Sequence, residues 1–68
     1  MHEDIPFTVR YVAEGAPIAE EHQSALGAVQ RVGALVAHGV GSDFAIWFGG
    51  SVLMDQAAIF ESLRLTRH

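Results

Sequence analysis

The segment Phe44–Asp55, with the sequence FAIWFGGSVLMD, decides how the chain folds. Two apolar runs flank Gly49-Gly50, and a two-residue Gly-Gly connection is typical of a β-hairpin with a type I′ or II′ turn. The segment therefore predicts two antiparallel strands, Phe44–Phe48 and Ser51–Met54. Such a turn sets the pairs Phe48 with Ser51, Trp47 with Val52, Ile46 with Leu53, and Ala45 with Met54.

Both faces of this predicted hairpin are apolar, so both should be covered. One face carries Phe44, Ile46, Phe48 and Leu53, and the other carries Ala45, Trp47, Val52 and Met54. Aromatic residues and Met are enriched at the centres of protein interfaces. We therefore predict that Trp47, Val52 and Met54 bind protein, with packing in the core as the alternative.

A first strand is predicted over Ile5–Ala13, where apolar and polar residues alternate with period two. Pro6 cannot donate a ladder hydrogen bond and belongs at the strand start or on an edge. Gly15 then breaks the chain.

A long helix is predicted from Pro17 to His38. Pro17 suits the first turn, and Glu20 and Glu21 complement the positive end of the helix dipole. An apolar stripe follows at steps of three and four, formed by Leu26, Val29, Gly33 and Val36 and extended on one flank by Ala25, Val32 and Leu35. Gly39 suits the helix end.

A short second helix is predicted after Asp55, which is a good N-cap residue. The order β-α-β-β-α gives an α+β fold, a single domain over residues 1–68 with two layers. We expect a three-stranded, mainly antiparallel sheet with the long helix packed on it. The third strand should lie between the first two, antiparallel to both.

Composition limits the classes of partner. Eight acidic residues against four arginines give a formal net charge of −4. A protein that binds nucleic acid directly normally carries a basic face, so this function is disfavoured. The acidic start of the chain and the lack of a long apolar run predict a cytoplasmic protein without a membrane span.

Half of the residues are hydrophobic, which is generous for 68 residues. A domain this small buries only about 60% of the surface of its unfolded chain. Burial against a second copy is the natural outlet, so we predict a homodimer. The absence of lysine and asparagine indicates a gene of high GC content, bacterial or from a bacterial virus or plasmid.

No motif for catalysis, metal or cofactor binding is present, so no cofactor is predicted. No two of His2, His22, His38 and His68 have the spacing of two ligands on one helix, and cysteine is absent. The group His38, Ser42 and Asp43 lacks a nucleophile elbow, and Gly-Ser-Asp is ordinary turn chemistry. The glycines after His38 follow a helix instead of preceding one, as a phosphate loop would require.

These observations predict a non-catalytic protein–protein interaction module. Regulators and inhibitors encoded by bacterial viruses and plasmids, such as anti-CRISPR proteins, include many small acidic domains of this kind. A second candidate surface surrounds Glu20, Ser24 and Arg31, where charge could set partner choice. The alternatives are an accessory subunit of a larger complex, or a small oligomeric enzyme using His22 or His38 in a site between subunits.

Overall fold

The computed structural model describes residues 6–66 and shows an α+β fold. Its elements are β1 (Phe7–Ala13), β2 (Ala16–His22), α1 (Ala25–Ala37), β3 (Ser42–Phe48), β4 (Ser51–Met54) and α2 (Gln56–Thr66). The four strands form one antiparallel sheet in the order β2-β1-β3-β4. The α+β class and the two helices confirm the prediction, whereas the number of strands does not.

Both helices pack on the same face of the sheet. Val9 and Ile46 from the sheet, Val32 from α1 and Ile59 from α2 are fully buried together. Tyr11, Ala28, Val29, Leu35 and Phe44 complete this core. The prediction for β1 is confirmed over Phe7–Ala13, since Val9 and Tyr11 are buried and Arg10 is exposed, whereas Ile5 lies outside the described residues.

The segment Ala16–His22 is a strand and not the start of the long helix, so that prediction was wrong. Glu14 and Gly15 have φ of 54° and 75°, the positive values that a type I′ hairpin turn requires. This turn reverses the chain and pairs Ala13 with Ala16 and Phe7 with His22. Pairing along all of β1 overrides the helical propensity of Glu20 and Glu21.

Helix α1 begins after Ser24, whose side-chain oxygen accepts a hydrogen bond from the Gly27 backbone N–H at 3.0 Å. It ends as predicted at Gly39. There the Val40 N–H donates to the Leu35 carbonyl and the Gly39 N–H donates to the Val36 carbonyl, at 2.8 and 3.0 Å. These two bonds form a Schellman motif.

The strand order differs from the prediction, which put the third strand between the first two. Because β2 already turns the chain back, β3 pairs directly with β1, and the short β4 lies at the edge. The predicted start of α2 is confirmed, since the Ala58 N–H donates to the Asp55 carboxylate at 2.8 Å.

The predicted hairpin is confirmed at its turn and wrong beyond Val52. Phe48 pairs with Ser51 and Trp47 with Val52, but Ile46 then pairs with Met54. Leu53 is therefore an extra residue, and this β-bulge moves every later side chain to the other face. Met54 packs against the core, while Leu53 is 49% exposed.

Candidate protein-binding surface

One face of the sheet has no described element packed on it, and we call it the open face. Its side chains alternate along each strand with those that point to the helices. The cross-strand pairs assign to it Thr8, Arg10, Val12, Pro17, Ala19, Glu21, Ala45, Trp47 and Val52. The prediction that both hairpin faces are covered, the second by the short helix or by a partner, is not met by α2, which lies on the same side as α1; within residues 6–66 no element covers the open face.

Trp47 is the largest side chain on the open face and is partly exposed. It lies between Thr8 of β1 and Val52 of β4. The guanidinium carbon of Arg10 lies 4.3 Å from the centre of the tryptophan ring, which is a cation–π contact. Trp47 and Arg10 are the two bulkiest side chains of the open face, and we call this stacked pair the Trp47–Arg10 knob.

A shallow hollow of about 360 Å³ lies beside this knob. It is lined by neighbouring residues of β1 and β2 together with one residue of β3: Arg10, Tyr11, Val12, Pro17, Ile18, Ala19 and Asp43. The open face thus combines one bulky aromatic feature with one largely apolar depression.

Arg10, Glu21 and Asp43 are the charged residues of this region, and none has an ion-pair partner within residues 6–66. Glu21 and Trp47 both pair with Thr8, from the two strands on either side of β1. An unpaired charge on a surface stays hydrated at little cost and is available to a partner.

Of the residues predicted to bind protein, the structure places Trp47 and Val52 together on the open face. Met54 is not with them, because the bulge at Leu53 turns its side chain toward the core. Arg10, by contrast, was not predicted, although the alternation of β1 puts it on the face opposite Val9 and Tyr11. The missing information was that β1 and β3 are neighbours.

Glu20 and Arg31 lie on the helix side of the sheet, away from Trp47. The Arg31 guanidinium donates two hydrogen bonds to the Glu20 carboxylate, at 2.8 and 3.1 Å. The Tyr11 hydroxyl donates a third at 2.7 Å. These bonds join α1 to β2 and β1, whereas the sequence placed both charges on one helix, and Ser24 is used as the N-cap.

The hydrogen bonds from Arg31 and Tyr11 lower the pKa of Glu20 to about 2, although partial burial opposes this. The hydrogen bond to Glu20 raises the pKa of Tyr11, and burial adds to that effect. Glu20 is therefore fixed as a carboxylate near neutral pH and is a poor proton donor or acceptor for catalysis.

His22 lies beside this cluster, with its Nε2 atom 3.5 Å from a Glu20 oxygen. That atom is buried and has no hydrogen-bond partner among the residues that the structure describes. His38 lies beyond the other end of α1, and a helix of this length spans about 20 Å. Within one chain the two histidines cannot act on one substrate, whereas His2 and His68 lie outside the described residues.

No group of three or more His, Asp or Glu side chains within residues 6–66 is arranged to hold a metal ion. The helices in this part of the chain are also too short or too polar to cross a membrane.

A second apolar surface lies between the helices, where Val36, Phe60 and Leu63 line an open groove of about 440 Å³ with Arg64 at its rim. Leu26 and Val36 belong to the predicted core stripe of α1 but are 63% and 43% exposed. The buried residues of α1 are Ala28, Val29, Val32 and Leu35. Val29 and the predicted flank of Val32 and Leu35 are therefore confirmed, and the helix is turned toward that flank.

No protein-family model, curated protein or solved structure matches this chain.

Proposed function

We propose that this chain is a non-catalytic protein–protein interaction module that associates with itself as a homodimer through the open face. The observation that carries the proposal is the position of Trp47. It lies on a sheet face that no element of residues 6–66 covers, and it is flanked by small and apolar side chains. Central aromatic residues of this kind supply much of the binding energy in protein interfaces.

The charge of the protein supports a protein partner. Its net charge is −4, and the open face has one basic residue, Arg10. A nucleic-acid backbone would require a basic surface that this face lacks. The unpaired Arg10 and Glu21 suit a protein surface of mixed charge.

The biological role we propose is that of a small cytoplasmic regulator or inhibitor, of the kind encoded by bacterial viruses and plasmids. Such a module acts by covering a surface of its target, and because the dimer occupies the open face, the target binds elsewhere on the molecule. An accessory subunit of a larger complex would use the same remaining surface. Affinity capture from a bacterial lysate with the wild-type chain would identify the target.

Replacement of Trp47 by alanine tests the proposal. We expect Trp47→Ala to weaken association by about 2 kcal/mol, or roughly 30-fold, as loss of a central aromatic anchor does. The loss of folding stability should stay below the about 3–5 kcal/mol expected for a fully buried tryptophan. Sedimentation equilibrium measures the dimer, and thermal unfolding measures the fold.

Leu26→Ala is the matched control, because Leu26 is 63% exposed on α1 and lies off the open face. It should leave association unchanged. If Trp47→Ala unfolds the chain, the tryptophan belongs to the fold, and the binding surface must be sought around Glu20, Ser24 and Arg31.

A further inference from the structure

The geometry points to a specific arrangement of the homodimer: two copies pack open face to open face about a twofold axis, and each Arg10 pairs with a carboxylate of the other copy, Glu21 or Asp43. This inference rests on the proposed function, because it assumes that the open face binds protein. It adds the orientation of the two copies and the charge pairs between them.

The shape of the open face is the first argument. The Trp47–Arg10 knob and the hollow at Val12, Pro17 and Ala19 lie side by side on the same face. Consider a twofold axis that lies in the plane of contact and runs between the knob and the hollow. It places the knob of each copy opposite the hollow of the other, so each copy can fill the other's depression. A twofold interface requires this self-complementarity, since both copies contribute the same surface.

Charge is the second argument. Arg10 has no acidic partner in its own chain, and Glu21 and Asp43 have no basic partner, within residues 6–66. A contact between two identical faces can give each Arg10 an acidic partner on the other copy, so two equivalent ion pairs form. Burial of the face without such pairs would leave unpaired charges in the interface, which is strongly unfavourable.

The size of the face is the third argument. Three strands of seven residues and one of four, about 4.8 Å apart with about 3.3 Å per residue, give a face of about 400 Å² per copy in projection. Two copies therefore contribute about 800 Å² in projection, and the accessible area is larger because the side chains are uneven in height; the contact belongs to the smaller interfaces, toward the limit of about 1,200 Å². The molecule is flat, 17 Å along its shortest axis, and the open face is one of its two broad surfaces.

The edges of the sheet oppose the other common mode of self-association, the joining of two sheets. In the two-residue β1–β2 hairpin the closing pair Ala13–Ala16 is hydrogen-bonded, so Pro17, paired with Val12, turns its nitrogen outward. Pro17 therefore offers no N–H to an added strand. At the other edge, β4 has four residues and the bulge at Leu53.

Charge reversal tests the arrangement. Arg10→Glu, Glu21→Arg and Asp43→Arg should each be measured alone and in equimolar mixtures by sedimentation equilibrium. Arg10→Glu should associate with itself at least tenfold more weakly than the wild type, because like charges then face each other twice. When Arg10→Glu is mixed with the variant whose acidic residue pairs with Arg10, either Glu21→Arg or Asp43→Arg, the two should form a heterodimer. The affinity of this heterodimer should be within about threefold of the wild-type affinity.

A heterodimer with Glu21→Arg or with Asp43→Arg supports the arrangement and identifies the acid. If Arg10→Glu forms a heterodimer with neither Glu21→Arg nor Asp43→Arg, the arrangement is overturned. Should Arg10→Glu fail to fold, Glu21→Arg and Asp43→Arg test the arrangement in its place. One of these two variants should associate with itself more weakly than the wild type. Its heterodimer with the wild type should have an affinity between those of the two homodimers. Equal affinities in these samples would overturn the inference.

The control is Arg64→Glu, which reverses a charge on α2 that pairs with Glu61 off the open face. It should associate like the wild type. A wild-type chain that stays monomeric up to its solubility limit would overturn both the inference and the proposed homodimer. Loss of association in Trp47→Ala without rescue by charge reversal would reject the arrangement and leave the proposed function intact.

Discussion

The Glu20 carboxylate accepts two hydrogen bonds from Arg31, which link the sheet to α1, and a third from Tyr11, which links β2 to β1. Its pKa is lowered from 4.5 to about 2, chiefly by the hydrogen bonds from Arg31. The folded state thus prefers the ionised form. The stabilisation is complete above about pH 4.5 and is lost as the pH falls toward 2, because protonation removes the charge that Arg31 binds.

We expect Glu20→Gln to lower the free energy of unfolding by about 1–2 kcal/mol at pH 7, after allowance for the partial exposure of the pair. The same variant should lose less stability than the wild type between pH 5 and pH 2. Urea unfolding at several pH values measures both effects. Glu61→Gln, which removes an exposed pair with Arg64, is the control and should change stability by less than about 0.5 kcal/mol.

Gly41 joins α1 to β3 in a conformation that no other residue adopts easily, with φ of 86°. A Cβ atom there would lie 2.8 Å from a ring carbon of Tyr11 and 3.2 Å from one of Phe44. Because both rings belong to the core, Gly41→Ala should cost more than about 2 kcal/mol of stability, from backbone strain plus overpacking.

Gly39→Ala separates the two causes of that loss. Gly39 has φ of 69°, but a Cβ atom there would meet nothing within 4 Å. It should cost about 1 kcal/mol, the conformational part alone. Equal losses in the two variants, measured by thermal unfolding, would show that contact with the rings is unimportant.

At the scale of elements, strand β2 shows what sequence can and cannot reveal. Its alternation of apolar and charged residues is weak, and Pro17-Ile18-Ala19-Glu20-Glu21 suits a helix start by every local criterion. The decisive interaction is pairing with β1, which depends on the turn at Glu14-Gly15. Glu is uncommon at positive φ, so the turn carried no clear signal.

That turn offers a direct test. Glu14→Asn should raise the free energy of unfolding by about 0.5–1 kcal/mol, because Asn adopts positive φ at lower cost than Glu and Asn-Gly is the preferred type I′ sequence. Glu14→Gln keeps the cost and removes the charge, so it should leave stability nearly unchanged. If both variants change stability equally, charge and not backbone conformation explains the effect.

The β3–β4 hairpin was predictable because its signal is local. Gly49 and Gly50 both have positive φ, and the pairs nearest the turn follow from its length. The bulge at Leu53 was not predictable, since nothing nearby in the sequence requires an extra residue. The shifted register is favoured because it packs the Met54 side chain against the core. This packing depends on β1 and α2, which are distant in sequence or follow the hairpin.

At the scale of the molecule, the candidate surface depended on tertiary arrangement more than on composition. Trp47 and Val52 could be predicted as neighbours from the hairpin alone. Arg10 could not, because its place beside Trp47 depends on the pairing of β1 with β3. The excess of apolar residues correctly indicated exposed apolar surface, and the structure places part of it on the open face and part between the helices.

The strand order also has a kinetic consequence. Within residues 6–66, β1 with β2 and β3 with β4 are joined by two-residue turns, so these pairs close short loops and form on the microsecond scale. The pairing of β1 with β3 joins residues 7 and 48 and closes most of the chain. Closing this long loop costs conformational entropy, and the helices have no common sheet surface to pack on until it is closed. The pairing of β1 with β3 is therefore the step that we expect to govern the folding rate.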